Sequence, residues 1–137
     1  MSANPDLKSI QPNIIDVLVC DDHQIFKDGI RSILSDVDWI QIWDEASNGV
    51  ECLEQIKSQV PDVVLLDINM PVMDGIQAVH EISKSSNIGE VQTIMLTTET
   101  SGKKKAELLK YKFVRCWIIK PITEDLIVAT VDKVLER

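Results

Sequence analysis

Five short apolar runs punctuate this sequence, and an amphipathic segment follows each one. The runs are IIDVLVC (14–20), WIQIWDEA (39–46), DVVLLD (62–67), VQTIMLT (91–97) and VRCWIIK (114–120). Each has the length of a strand and is rich in β-branched or large apolar residues. After the first run, Phe26, Ile30, Ile33, Leu34 and Val37 recur at helical spacing on one face. Val50, Leu53 and Ile56 do so after the second, and Ile76, Val79 and Ile82 after the third. SGKKKAELLKYK predicts a lysine-rich fourth helix. Pro121 ends the fifth run. Thr123 is then placed to cap a last helix whose first turn carries Glu124 and Asp125, where the helix dipole favours acids.

Strands that are apolar along their length have no face to give to water. Alternating with helices, they predict an α/β, doubly wound fold: a five-stranded parallel sheet with five helices covering both faces. In such sheets ligands bind beyond the carboxyl ends of the strands, near the point where strand order reverses. The first strand ends in Asp21 and Asp22, the third in Asp67, the fourth in Thr97 and Thr98, and the fifth in Lys120 and Pro121. If the first and third strands are neighbours, roughly 5 Å apart, three carboxylates share one small volume. Like charges that close raise one another's pKa unless a cation binds. A hard divalent ion with oxygen ligands answers this, Mg²⁺ first and Mn²⁺ in its place, with the Asn69 backbone carbonyl as a further candidate ligand. Such a site suits phosphoryl chemistry. An ionised carboxylate is the nucleophile, and a metal plus a lysine offset charge on the equatorial oxygens.

Charge and composition narrow the classes. The formal net charge of -8 argues against direct nucleic-acid binding, which needs basic clusters. No apolar run approaches membrane-spanning length. MSANPDLKSIQPNI lacks the basic start and apolar core of a secretory signal, so residues 1–13 are expected to be a polar tail before a single domain, 14–137. Cys20, Cys52 and Cys116 form no CxxC pair, and reduced thiols in the cytoplasm are the expectation.

VCDDH, LLDINMPVMDG, IMLTTE and IIKP, in this order and spacing, resemble the receiver domain of bacterial two-component response regulators. The similarity covers nearly the whole chain. It implies the flavodoxin-like strand order 2-1-3-4-5. It implies phosphorylation of Asp67 by a histidine kinase or phosphotransfer protein, with Mg²⁺ held by Asp21, Asp22, Asp67 and the Asn69 carbonyl. It further implies Thr97 as the switch hydroxyl, Lys120 as the phosphate-pairing lysine, and a cis bond from Lys120 to Pro121. The switch aromatic falls on Trp117, and the side chains that tune dephosphorylation fall on Asn69 and Glu99. The protein would be a signalling switch, not a turnover enzyme. Its output face would be the fourth helix, fifth strand and fifth helix, read by a downstream protein. Two departures from the resemblance stand out. Phe113-Val114 replaces a common Gly-Ala pair, and the Thr97–Lys120 spacing is about one residue longer.

Plainer roles compete for several residues. Asp22 could cap the first helix. Asp74-Gly75 fits a turn and helix start. His23 fits a helix-start surface position, although it could reach a metal, and His80 fits a helix surface. Thr98 reads as a bystander, Lys103 to Lys105 as a solvated face, and Cys20 as strand packing. A dehalogenase-like phosphatase also uses Asp and Mg²⁺, but needs an acid where this chain has Asn69. DDHQIFKDGI is similar to receivers attached to DNA-binding domains, so a receiver excised from a longer regulator also fits the sequence. A phosphorylation-independent scaffold on the same fold would not need the acidic site to be intact.

Overall fold

The computed structural model describes residues 14–85, 91–98 and 102–136; the N-terminal tail expected over 1–13 lies outside them. Among the described residues, strands and helices alternate as the sequence pattern requires. They are β1 (Ile15–Cys20), α1 (Gln24–Leu34), β2 (Ile40–Ala46), α2 (Gly49–Ser58) and β3 (Val63–Asp67), then α3 (Gly75–Lys84), β4 (Gln92–Thr97), α4 (Gly102–Leu108), β5 (Val114–Ile119) and α5 (Glu124–Val134). The strands form one parallel sheet in the order β2-β1-β3-β4-β5. The order reverses between β1 and β3, which pair from Val17↔Val63 to Cys20↔Leu66.

The sheet separates two cores, because alternate strand residues face opposite sides. One core collects Leu18, Val64, Leu66 and Met95 with α2 and α3. The other collects Val17, Val19, Leu65, Ile94 and Leu96 with α1 and α5. Every residue of β3 is buried, including its terminal Asp67. Two strands carry an extra residue. Trp43 is skipped in the β1–β2 pairing and Arg115 in the β4–β5 pairing, each a local bulge.

The helix faces follow the predicted periodicity with one correction. Val50 is exposed, and Cys52 joins Leu53 and Ile56 inside. The rotation of α2 is set by its first residue. Gly49 N–H donates to the Met73 carbonyl at 2.9 Å, and a Cβ on Gly49 would lie 2.6 Å from that same oxygen. Asp74 does start a helix, as expected. Its carboxylate accepts from Gln77 N–H at 2.8 Å in a capping box. Thr123 caps α5 through Leu126 N–H.

The loop from β3 to α3 is held tightly. Gly75 N–H donates to the Ile68 carbonyl at 2.8 Å, and a side chain on Gly75 would collide with the Asp67 carbonyl oxygen. Between these anchors Val72 has φ 68°, and Met73 N–H donates to the Pro71 carbonyl across it. A β-branched residue in the left-handed region is strained, and Val72 gains little packing in return, being 81% exposed. Val72→Gly is therefore expected to raise the unfolding free energy by about 0.5–1 kcal/mol. Urea denaturation of the two proteins checks this, and a loss of stability would show that the turn is not strained.

Candidate functional site

The β1–β3 register sets two chain ends beside each other. Asp21 follows Cys20, whose partner Leu66 precedes Asp67, so the two carboxylates emerge from neighbouring strands. Both are buried, Asp21 at 0% and Asp67 at 4% exposure. Asp21 is fixed by its own N–H donating to the Ala46 carbonyl at 3.0 Å, and its Oδ1 accepts from His23 N–H at 2.8 Å.

Lys120 is the cation that meets this pair. Its N–H donates to the Thr97 carbonyl at 2.9 Å, which ties the ends of β4 and β5 together. Its side chain then reaches across the strand ends. Nζ lies 2.6 Å from Asp21 Oδ2 and 3.7 Å from Asp67 Oδ2, with the side chain 14% exposed. The peptide bond from Lys120 to Pro121 is cis. Thr97 is buried at the end of β4 and Thr98 is exposed, so the sheet turns the first and not the second inward.

One ammonium does not balance the acids. Burial pushes the Asp67 carboxyl up to about 6, and Asp21 and Asp22 add to the rise, while Lys120 and the Asn69 N–H act against it. Asp21, Asp22, His23 and Asp67 each offer a ligand atom, and these atoms all lie within 4.8 Å of one another. Three carboxylates converging on one point, with a net negative balance, are a donor set that fits a hard divalent cation.

Several residues take roles that the sequence left open. His23, not Asp22, occupies the N-cap position of α1, and no side chain caps that helix. Asp22 instead joins the acidic cluster, its Oδ1 3.2 Å from His23 Nδ1. His23 is at the helix start and largely exposed, yet its Nδ1 is 3.0 Å from Asp21 Oδ1. The lysine run is only in part a solvated face. Lys104 Nζ donates to Asn69 Oδ1 at 3.2 Å, and Lys105 Nζ sits 5.6 Å from the Trp117 ring centroid. His80 is on a helix surface, with Nδ1 2.9 Å from the Tyr111 hydroxyl. Glu99 lies outside the described residues. Lys27 escaped notice in the sequence because it looks like a solvated helix position. It is 2% exposed, with Nζ donating to Ser47 Oγ at 2.8 Å. Among the described residues no helix is long and apolar enough to cross a membrane.

Comparison with known proteins gives a consistent picture. The family model of the response regulator receiver domain matches residues 17–132. The response regulator UvrY of Escherichia coli is 36% identical over 97 residues, which cover 71% of this chain and 44% of UvrY. The chain thus spans less than half the length of that relative. Among solved structures, the chemotaxis protein CheY4 of Vibrio cholerae superposes with a TM-score of 0.77 at 30% identity, covering 88% of this chain and 98% of that one. The receiver domain of the sensor histidine kinase PA1611 of Pseudomonas aeruginosa shares the fold with a TM-score of 0.79. It is 19% identical, with 90% of this chain and 99% of that one covered, and it carries a magnesium ion in its active-site cleft.

The raised pKa makes Asp67 a liability to the metal-free protein. Below the unfolded value, 3.8, the carboxyl is protonated in both states and costs nothing. As pH rises toward about 6 the unfolded chain ionises first, and stability is lost through that window. The full loss is at most about 3 kcal/mol. In EDTA, Asp67→Asn should therefore be more stable than the native chain at pH 7.5 by about 1–3 kcal/mol, with the advantage shrinking toward pH 4. Urea melts at both pH values measure it. An advantage that does not change with pH would refute the assignment.

Proposed function

This chain belongs to the response regulator receiver domain family, and on that premise we propose that Asp67 accepts a phosphoryl group from a histidine kinase or phosphotransfer protein. The observation that carries the proposal is the pair of buried carboxylates, Asp21 and Asp67, with Lys120 Nζ 2.6 Å from one and 3.7 Å from the other.

Asp67 stands at the end of a fully buried strand, so its carboxylate is presented from a rigid base. A nucleophile held this way loses little orientational freedom in the reaction. Its oxygen forms the new O–P bond as the P–N bond of a phosphohistidine, or the P–O bond of an acyl phosphate, breaks. The leaving imidazole or carboxylate departs with the bonding pair, and the imidazole takes its proton from solvent. Lys120 stands beside both carboxylates, where an ammonium offsets charge on the transferring group. The Thr97 hydroxyl donates to a phosphoryl oxygen. Asp21, Asp22, Asp67 and the Asn69 carbonyl would hold Mg²⁺, with Mn²⁺ able to replace it. When bound, the ion supplies the positive charge that lets three carboxylates stand ionised together.

Phosphorylation is a local change of charge that biases a two-state element. Thr97 and Trp117 transmit it to the surface formed by α4, β5 and α5, where a downstream protein reads it. The chain is then a stoichiometric cytoplasmic switch, not a turnover enzyme, and does not itself bind nucleic acid. Intact-mass spectrometry after acetyl phosphate and Mg²⁺ should find one added phosphoryl group, labile to hydroxylamine and absent in Asp67→Ala. An acid-stable adduct, or one that survives in the variant, would overturn the assignment.

The lifetime of the phosphoform is a separate matter. On the proposed reading Asn69 and Glu99 tune dephosphorylation, and Asn69 is exposed two residues after Asp67. A small polar amide leaves phosphorus open in line and can hydrogen-bond the attacking water. The native phosphoform should decay within minutes of donor removal, and Asn69→Met should slow that decay about tenfold. Persistence for hours in the native chain, or no slowing in the variant, would remove Asn69 from this role.

A further inference from the structure

Phe26 reads in the sequence as one more apolar residue on the inner face of α1. It does pack against the core that α1 shares with α5. Its ring also lies under the active-site lysine: Lys120 Nζ is 4.1 Å from the Phe26 ring centroid. The same ammonium is 2.6 Å from Asp21 and 3.7 Å from Asp67. Lys120 is thus bounded by two carboxylates and one aromatic face.

This placement answers a physical difficulty. Lys120 follows β5 and must reach back across the ends of β4 and β3 to Asp21 at the end of β1. A lysine stem has many rotamers, and their entropy opposes holding it in one extended pose. The two carboxylates attract the ammonium but do not fix it, because a point charge with three rotatable donors can satisfy them from many directions. A ring adds a directional contact through its negative face. At 14% exposure, with little water to screen it, that attraction is near the upper part of its range.

We propose that Phe26 is a positioning residue for Lys120: its ring fixes the ammonium between Asp21 and Asp67 before the phosphoryl group arrives. The proposal rests on the phosphoacceptor reading for its kinetic consequence, though not for its geometry. An aliphatic residue of similar volume would fill the core equally well and would leave the ammonium unfixed. The contact therefore separates the packing role of this position from its electrostatic one.

Fluorinated phenylalanines at position 26 test it, because each added fluorine weakens the ring's negative face with little change in shape. Mono-, di- and trifluoro-Phe26 proteins should show a graded fall in the rate of phosphorylation by acetyl phosphate, about three- to tenfold across the series. Melting temperatures across the series should stay level. In a Lys120→Met background the same series should be flat. Without any donor, the ε-methylene protons of Lys120 should be shifted upfield by the ring current in the native chain and not in Phe26→Leu. Equal rates across the series, an equal gradient in the Lys120→Met background, or unshifted ε-protons would each overturn the proposal. If the native chain took no phosphoryl group on Asp67, the proposed function would fall. The ring-current shift would still decide whether Phe26 holds Lys120.

Discussion

Two carboxylates are buried at the ends of neighbouring strands, and the carboxyl edge of the sheet is organised around their repulsion. Parallel register leaves Asp21 and Asp67 no freedom to separate, since Cys20 and Leu66 are paired immediately before them. The protein answers with several partial remedies. His23 N–H donates to Asp21, Asn69 N–H helps Asp67, and Lys120 reaches both acids. Together they do not offset burial and the charge of Asp21, and the Asp67 carboxyl stays at about 6. A site left short of positive charge favours whatever brings it, and that unbalanced charge is what makes the edge chemically useful.

The loop after Asp67 shows the same trade between stability and placement. Met73 O, Ile68 O and two glycines fix the path of the chain, and the turn at Val72 is forced through the left-handed region. Strain of this kind persists where the surroundings over-determine the backbone. Here the surroundings are the first residues of α2 and α3. Gly75 allows the chain to approach the Asp67 carbonyl so closely that no side chain could stand there. That approach turns the loop back beside the strand end, next to the acids.

The architecture was legible because strand and helix periods differ, and because a parallel sheet collects its strand ends on one edge. Asp21, Asp67 and Lys120 could be read for that reason, each being the polar residue that follows an apolar run. What sequence could not give was the rotation of each helix and the reach of long side chains. Val50 and Cys52 both fit a helical stripe, and only the docking of Gly49 on Met73 decides between them. Lys27 is buried by the local fit of α1 against Ser47, for which its neighbours in sequence give no signal. Phe26 has the spacing of a core residue, and its contact with Lys120 joins positions far apart in the chain.

The contacts of Trp117 show how a change at the strand ends could be felt on the surface. Met95 and Thr97 lie two residues apart on β4 and so face the same side of the sheet. Met95 pairs with Trp117 on β5, and both belong to the core beneath α2 and α3. Thr97 and the tryptophan therefore share a face, with no strand between them. Lys105 holds the other end of the arrangement, its ammonium over the Trp117 ring. A ring drawn toward Thr97 would give up a cation–π contact of about 0.5–1 kcal/mol at this partly exposed position, and Lys105 would be released with it. On the proposed reading, that small cost sets the balance between two ring positions. On that reading α4 would move with the ring, because it carries both Lys105 over Trp117 and the Lys104 that reaches Asn69 beside the acidic site.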